Sequence, residues 1–312
     1  MLRPIFLALS RQPGLARFAL RHPILRRTAL RFVAGERLDE AVEAVRGLNA
    51  AGLAATLDHL GENTTTRGEA EGSAAEYLAI LDELHRTAAD NNLSLKLTQL
   101  GLDLDAALCE AHLRRILDGA GATFVRIDME GSPYTERTLG VFERMWAAGY
   151  RNVGVVIQSY LRRSVSDVER LIALGARVRL VKGAYAEPPS VAFPHKRDVD
   201  AAFARLAEQL LRRGAYPAIA THDERLIAAA RRVASAHGIG PDRFEFQMLY
   251  GIRRDLQMRL RREGHRVRIY VPFGREWYPY FMRRLAERPA NVMFVLGSLV
   301  RERGERGAGR GA

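Results

Sequence analysis

Lysine is scarce in this chain and cysteine scarcer still. Lys96, Lys182 and Lys196 are the only lysines among 48 basic residues, and Cys109 is the one thiol in 312 residues. A single cysteine excludes an intrachain disulfide, which suits a reducing compartment. No run of about 18 apolar residues occurs, so no segment reads as a membrane-spanning helix. No glycine fingerprint follows the first predicted strand, which argues against a doubly wound dinucleotide fold. The glycines of "GAGATF" precede a strand, and those of "GAGRG" lie in the terminal tail. No HExxH or similar spacing supports a metal, and no GxSxG elbow or cysteine–histidine signature supports a covalent nucleophile. Zinc-finger spacing, an RNP-like motif and a basic zipper are also missing. The net charge of +12 therefore has no nucleic-acid motif behind it, and no nucleic-acid partner is expected. A non-catalytic binder of nucleic acid or anionic membrane stands as an alternative.

The charge that is present is mostly arginine. Residues 1–35 carry seven arginines and no acid, and residues 251–288 carry eleven against four acids. Where arginine is the default cation, a retained lysine marks a need for a compact point charge. The basic start, residues 1–35, reads as a helical arm, either lying on a membrane surface or packing as short helices broken near Pro13 and Pro23. Residues 301–312 read as a disordered basic tail, and residues 36–300 as one catalytic domain.

Within that domain, eight β-rich runs alternate with amphipathic helical stretches. The runs cover 53–58, 93–97, 123–128, 152–158, 177–182, 216–221, 243–247 and 266–271. Eight such repeats over roughly 250 residues predict a (βα)8 TIM barrel in the α/β class. Sites in such barrels lie at the C-terminal strand ends. Those ends carry Asp58, Lys96, Asp128, Gln158, Arg179 with Lys182, Thr221 with His222, Gln247 and Tyr270. The cations, amides and hydroxyls suit a large polar cofactor with phosphates and a heterocycle, plus a small anionic substrate. An aldolase using Lys96 or Lys182 as a Schiff base is a second enzyme reading. Near the end, "WYPYFMRRLAERP" sets Arg283 and Arg284 between Tyr280 and Glu287. On a helix these line one broad face, which in isolation reads as a solvated face with Glu287 pairing back to Arg283.

Eight motifs, in order, change that reading. "SLKLTQLGLDLD", "VRIDMEGSPYT", "VVIQSYL", "VRLVKGAY", "ATHD", "FEFQMLYGIR", "RIYVPFG" and "YPYFMRRLAERP" resemble bacterial proline dehydrogenase from about Ala34 to Val300. The resemblance implies a distorted (βα)8 barrel with N-terminal helices and a final helix over the barrel mouth. It implies an FAD cofactor, consistent with the missing glycine fingerprint. It also implies oxidation of L-proline to Δ1-pyrroline-5-carboxylate by hydride transfer to flavin N5, the first step of proline catabolism to glutamate. The electrons would pass to a membrane quinone. Fused DNA-binding and aldehyde dehydrogenase domains are missing, so a monofunctional enzyme with a separate pyrroline-5-carboxylate dehydrogenase is expected. The expected location is cytoplasmic, peripheral on the inner face of the cell membrane.

Residue by residue, the resemblance assigns Arg283 and Arg284 to the proline carboxylate, aided by Lys96. Glu287 would steady the arginines, and Tyr270 and Tyr280 would wall the ring. Asp128 would hold Lys96 as a buried ion pair, and Arg179 would stand near flavin N5. Lys182, Gly183 and Ala184 would approach the pyrophosphate or ribityl chain. Met129, Gln158, Thr221 and His222 match further flavin contacts, while Gln247 and Leu249 flank the site.

Overall fold

The computed structural model describes residue 12, residues 29–87 and residues 91–287, the side chains of 286 and 287 excepted. Eight parallel strands close on themselves in chain order. They are β1 (Ala54–His59), β2 (Asn91–Leu95), β3 (Val125–Ile127), β4 (Val153–Gln158), β5 (Val178–Val181), β6 (Ala218–Ala220), β7 (Glu245–Leu249) and β8 (Val267–Phe273). Closure is made by β8 against β1, in register from Ala54 opposite Arg268 to His59 opposite Phe273. The expected (βα)8 barrel is the observed fold, with strand ends shifted by up to two residues from the sequence-based bounds. The outer ring comprises α1 (Leu38–Ala50), α2 (Arg67–Thr87), α3 (Ala106–Ala120), α4 (Thr135–Ala147), α5 (Ser164–Ala173), α6 (Lys196–Arg213), α7 (Glu224–Ala236) and α8 (Arg254–Arg262).

Strand alternation explains where the core sits. Leu57, Leu93, Leu95, Val125, Ile127, Val155, Leu180, Phe246, Ile269 and Val271 belong to the apolar layer shared with the helices. Their neighbours point the other way, and inside the barrel they are strongly polar. Arg268 Nε bonds Glu245 Oε1 at 3.0 Å and its Nη1 donates to the Ala55 carbonyl at 2.7 Å. Arg126 Nη1 crosses from β3 to the Arg177 carbonyl at 2.6 Å. Gly154 on β4 makes room for that crossing, because a Cβ there would lie 2.7 Å from Arg126 Nη1 and 2.5 Å from the Arg177 carbonyl. Burial, then the charge of Arg179, pushes the Arg126 guanidinium down to about 9.

Helix starts follow local chemistry. Asp105 caps α3 by accepting from Ala107 N at 2.9 Å, and Asp223 caps α7 by accepting from Arg225 N at 3.1 Å. A ninth helix, α9 (Trp277–Glu287), leaves the ring. Trp277, Tyr278, Tyr280, Phe281, Met282 and Leu285 form a separate apolar cluster with Ala29, Phe32 and Val33. Leu60 after β1 and Ile252 after β7 complete it, with Leu249 and Tyr270 packed beneath. All four mark the C-terminal side of the barrel, so α9 lies over the mouth, as expected. The expected N-terminal arm is described only at residue 12 and residues 29–35, and the expected tail lies outside the described residues.

Candidate active site

Beneath α9, two ion pairs organise the mouth. Lys96, just past β2, sets its ammonium 3.1 Å from Asp58 Oδ1 at the end of β1, with the two side chains 8% and 1% exposed. Asp128, just past β3, takes Arg179 Nη1 of β5 at 2.7 Å on Oδ1 and the Tyr270 hydroxyl of β8 at 2.7 Å on Oδ2. Ser94 of β2 accepts from Arg179 Nη2 at 3.2 Å, and the guanidinium lies 5.2 Å from the centre of the Tyr270 ring.

This corrects one expectation. Lys96 is paired with Asp58, and Asp128 with Arg179. The register explains the exchange, because β1 places Asp58 beside Ser94, two residues before Lys96 on the same inward face. Asp128 is instead claimed by the longer, planar guanidinium reaching across from β5. Burial alone would push the Lys96 ammonium down, but Asp58 and then Asp128 outweigh it, so the lysine is held charged. Burial, reinforced by Asp128, drives the Tyr270 phenol well above its ordinary value, which keeps it a donor.

Of the two adjacent arginines of α9, Arg283 faces this mouth. Arg283 Nη2 lies 2.7 Å from Glu62 Oε1, the side chains being 15% and 21% exposed. Burial opposes its charge, yet Glu62, Tyr185, Tyr270 and Asp58 overcome it and the guanidinium is shifted up. Glu62 and Tyr185 stand on the loops after β1 and β5, Asp58 stands near the end of β1, and Tyr270, expected at a strand end, lies within β8, so Arg283 projects inward. Arg284 is 8% exposed, with its guanidinium 4.9 Å from the centre of the buried Tyr280 ring. A solvated charged face does not describe this helix. Among the described residues the carboxylate partner of Arg283 is Glu62, a residue that carried no motif signal; the Glu287 side chain lies outside the described residues.

A second arc of groups runs from β4 to β7. Gln158 Nε2 donates to the Glu130 carbonyl at 2.8 Å, beside the buried Met129. Lys182 Nζ sits 2.6 Å from Asp200 Oδ1 and 3.1 Å from Asp223 Oδ2, and Lys196 shares both acids. Gly183 has φ +113°, and a Cβ there would collide with the Tyr160 ring. The resemblance expected glycine to admit the cofactor; in the structure Tyr160 is what comes close. Half-buried Ala184 follows it. Thr221 Oγ1 accepts from Asp223 N at 3.1 Å, and His222 Nε2 accepts from Leu249 N at 3.0 Å. Gln247 departs from expectation. It lies within β7, not at its end, and donates to Glu245 in the polar barrel interior below the mouth. Among the described residues, no group of three His, Cys, Asp or Glu could hold a metal ion. No helix among them is long and apolar enough to cross a membrane.

Fold and mouth together define a (βα)8-barrel of the enzyme kind, with its charged groups gathered at the C-terminal strand ends. The proline dehydrogenase family model matches residues 41–296. Proline dehydrogenase 1 of Bacillus subtilis subsp. natto is 44% identical over 304 residues, covering 97% of this chain and all of that protein. Proline dehydrogenase of Deinococcus radiodurans is 43% identical over 279 residues, 88% of this chain and 90% of that one. The crystal structure of proline utilization A from Bdellovibrio bacteriovorus inactivated by N-propargylglycine superimposes with a TM-score of 0.79 at 28% identity. That match covers 84% of this chain and 32% of the longer protein. The chain belongs to the proline dehydrogenase family.

Proposed function

We propose that this chain oxidises L-proline to Δ1-pyrroline-5-carboxylate, with FAD as cofactor and a membrane quinone as electron acceptor. A separate pyrroline-5-carboxylate dehydrogenase would consume the product. The observation that carries this reading is the inward-facing Arg283 on a helix across the mouth, with Arg284 beside it and Lys96 below. Cations held in place this way suit a carboxylate, each charge-assisted bond contributing about 1.5–3 kcal/mol.

FAD fits the second arc. Among the described residues, the buried Nε of Arg179 has no hydrogen-bond partner, so it has a donor to offer an acceptor-rich heterocycle. Gln158, Thr221 and His222 would hold the flavin end, and Lys182 with Gly183 and Ala184 the phosphate end. When bound, FAD supplies the two-electron acceptor for the hydride leaving the ring carbon next to nitrogen. The protein orients and charges the site. Asp128 fixes the plane of Arg179, which puts a permanent positive charge where negative charge develops. Tyr270 and Tyr280 bound the ring, and α9 excludes water.

Asp128 has both oxygens engaged, by Arg179 and Tyr270, and Asp58 is engaged by Lys96. Neither is free as a base, so the amine loses its proton to water before hydride transfer. The same pairing disfavours the aldolase reading, because a Schiff-base lysine needs a neutral amine and Lys96 is held charged. A basic binding protein is disfavoured too, since arginines such as Arg163, Arg170 and Arg253 are paired with acids on their own surface.

Arg284→Met tests the clamp. The variant should still bind FAD while its KM for L-proline rises by at least about tenfold, as loss of substrate binding requires. A KM near that of the unaltered protein in a dye- or quinone-reduction assay would return these arginines to a structural role.

A further inference from the structure

Glu130 is a carboxylate the chemistry above does not use. It lies two residues past Asp128 and is 2% exposed. Burying a carboxylate is costly unless hydrogen bonds replace water, and here they come almost wholly from one residue. Glu130 Oε2 accepts from Thr98 Oγ1 at 2.6 Å and Oε1 from Thr98 N at 3.2 Å. The Thr98 hydroxyl also accepts from Asn63 N at 3.2 Å. An amide N–H can only donate, so the hydroxyl proton is left for Glu130 and the direction of the chain is set. The Thr98 carbonyl then accepts from Thr64 N at 3.3 Å and Thr64 Oγ1 at 2.9 Å.

These bonds hold the middle of the loop after β1. Asn63 is in the left-handed region at φ 56°, a conformation asparagine tolerates better than most residues with a Cβ and one that turns the loop here. The residue before it is Glu62, which takes Arg283 at 2.7 Å. Hydrogen bonds therefore run from Gln158 through the Glu130 carbonyl, then from the Glu130 carboxylate through Thr98 to Asn63 and Thr64. Glu62 and α9 follow. The loops after four successive strands are laced in series, and the last link is the helix over the mouth.

We propose that Glu130 and Thr98 are positioning residues for substrate binding, setting Glu62 and through it the place of Arg283 over the barrel mouth. Neither residue is assigned contact with proline, and the kinetic part of the proposal rests on the proline-oxidation reading above.

Thr98→Val keeps the side-chain shape and removes the hydroxyl from the chain. The variant should raise KM for L-proline on the order of tenfold while kcat stays within about twofold. Thr98→Ser should restore KM. Amide hydrogen exchange on the full chain without proline gives a readout independent of turnover. Thr98→Val should speed exchange both at 62–64 and along α9, residues 277–285. An unchanged KM, or faster exchange confined to 62–64 with α9 protected as before, would overturn the proposal. Should Thr98→Val fail to fold, Glu130→Gln carries the same two measurements with the same expectations. If the unaltered protein shows no proline turnover, the functional reading fails, and the exchange experiment still decides the coupling.

Discussion

Asp58 shows what single residues could and could not announce. From sequence it was one strand-end acid among several polar strand ends, whereas the fold buries it completely against Lys96. Lys96, Asp128 and Arg179 stood out because each closes or occupies a strand beside a recognisable motif. Who pairs with whom did not, because that depends on register and on which side chain is long enough to span the barrel. Asp58→Asn leaves Lys96 buried without its nearest counter-charge and should cost about 3–5 kcal/mol in denaturant unfolding. Lys96→Met in the same chain should recover much of that loss, and independent, additive effects would contradict the pairing. Glu130 gives a pH signature. Burial, against the Thr98 bonds and with Glu62 adding to it, raises its carboxyl to about 7, and Lys96 offsets only part. The folded protein then keeps a proton that the unfolded chain releases near its ordinary value of 4.5. Stability should fall as pH rises through that window and level off above it. Glu130→Gln should remove a fall of about 3 kcal/mol between acidic and mildly alkaline pH. Parallel stability curves for the two proteins would contradict the assignment.

At the scale of elements, the strands were legible because alternating β-branched runs and amphipathic helices leave strong periodic signals. The frame of β7 was not, and Gln247 shows why. "FEFQMLYG" continues its alternation past the glutamine to Leu249, so the residue taken for a strand end lies inside. The path of α9 was legible only through its resemblance to a family, since a helix carrying "MRRLAE" packs equally well outside a barrel. Its apolar cluster with Phe32, Val33, Leu60 and Ile252 is what places it. The loop between β5 and α6 offers a test at this scale. Gly183 combines φ +113° with a close approach to Tyr160, so Gly183→Ala is strained twice over. The variant should bind FAD on the order of tenfold more weakly, read by fluorescence titration of the apoprotein. Unchanged affinity would separate this loop from the cofactor.

Across the whole molecule, an alternating rhythm of strand and helix was enough to predict a closed barrel, but the barrel's interior was hidden. "VRIDM", "FEFQ" and "RIYV" put a charged or polar group at every second position, a pattern that in an open sheet faces water. Closure turns that face inward, where Arg268 and Gln247 both donate to Glu245 and Arg126 donates to the Arg177 carbonyl beneath the mouth. Above this ionic floor sit Asp128 with Arg179 and Asp58 with Lys96, and above them the arginines of α9. Buried ion pairs are thus stacked toward one opening. The most direct measurement is the visible absorption spectrum of the purified protein, supplemented with FAD, before and after anaerobic addition of L-proline. The account predicts a yellow protein whose flavin absorbance bleaches with L-proline. A protein that takes up no FAD, or one whose colour L-proline leaves unchanged, would contradict it.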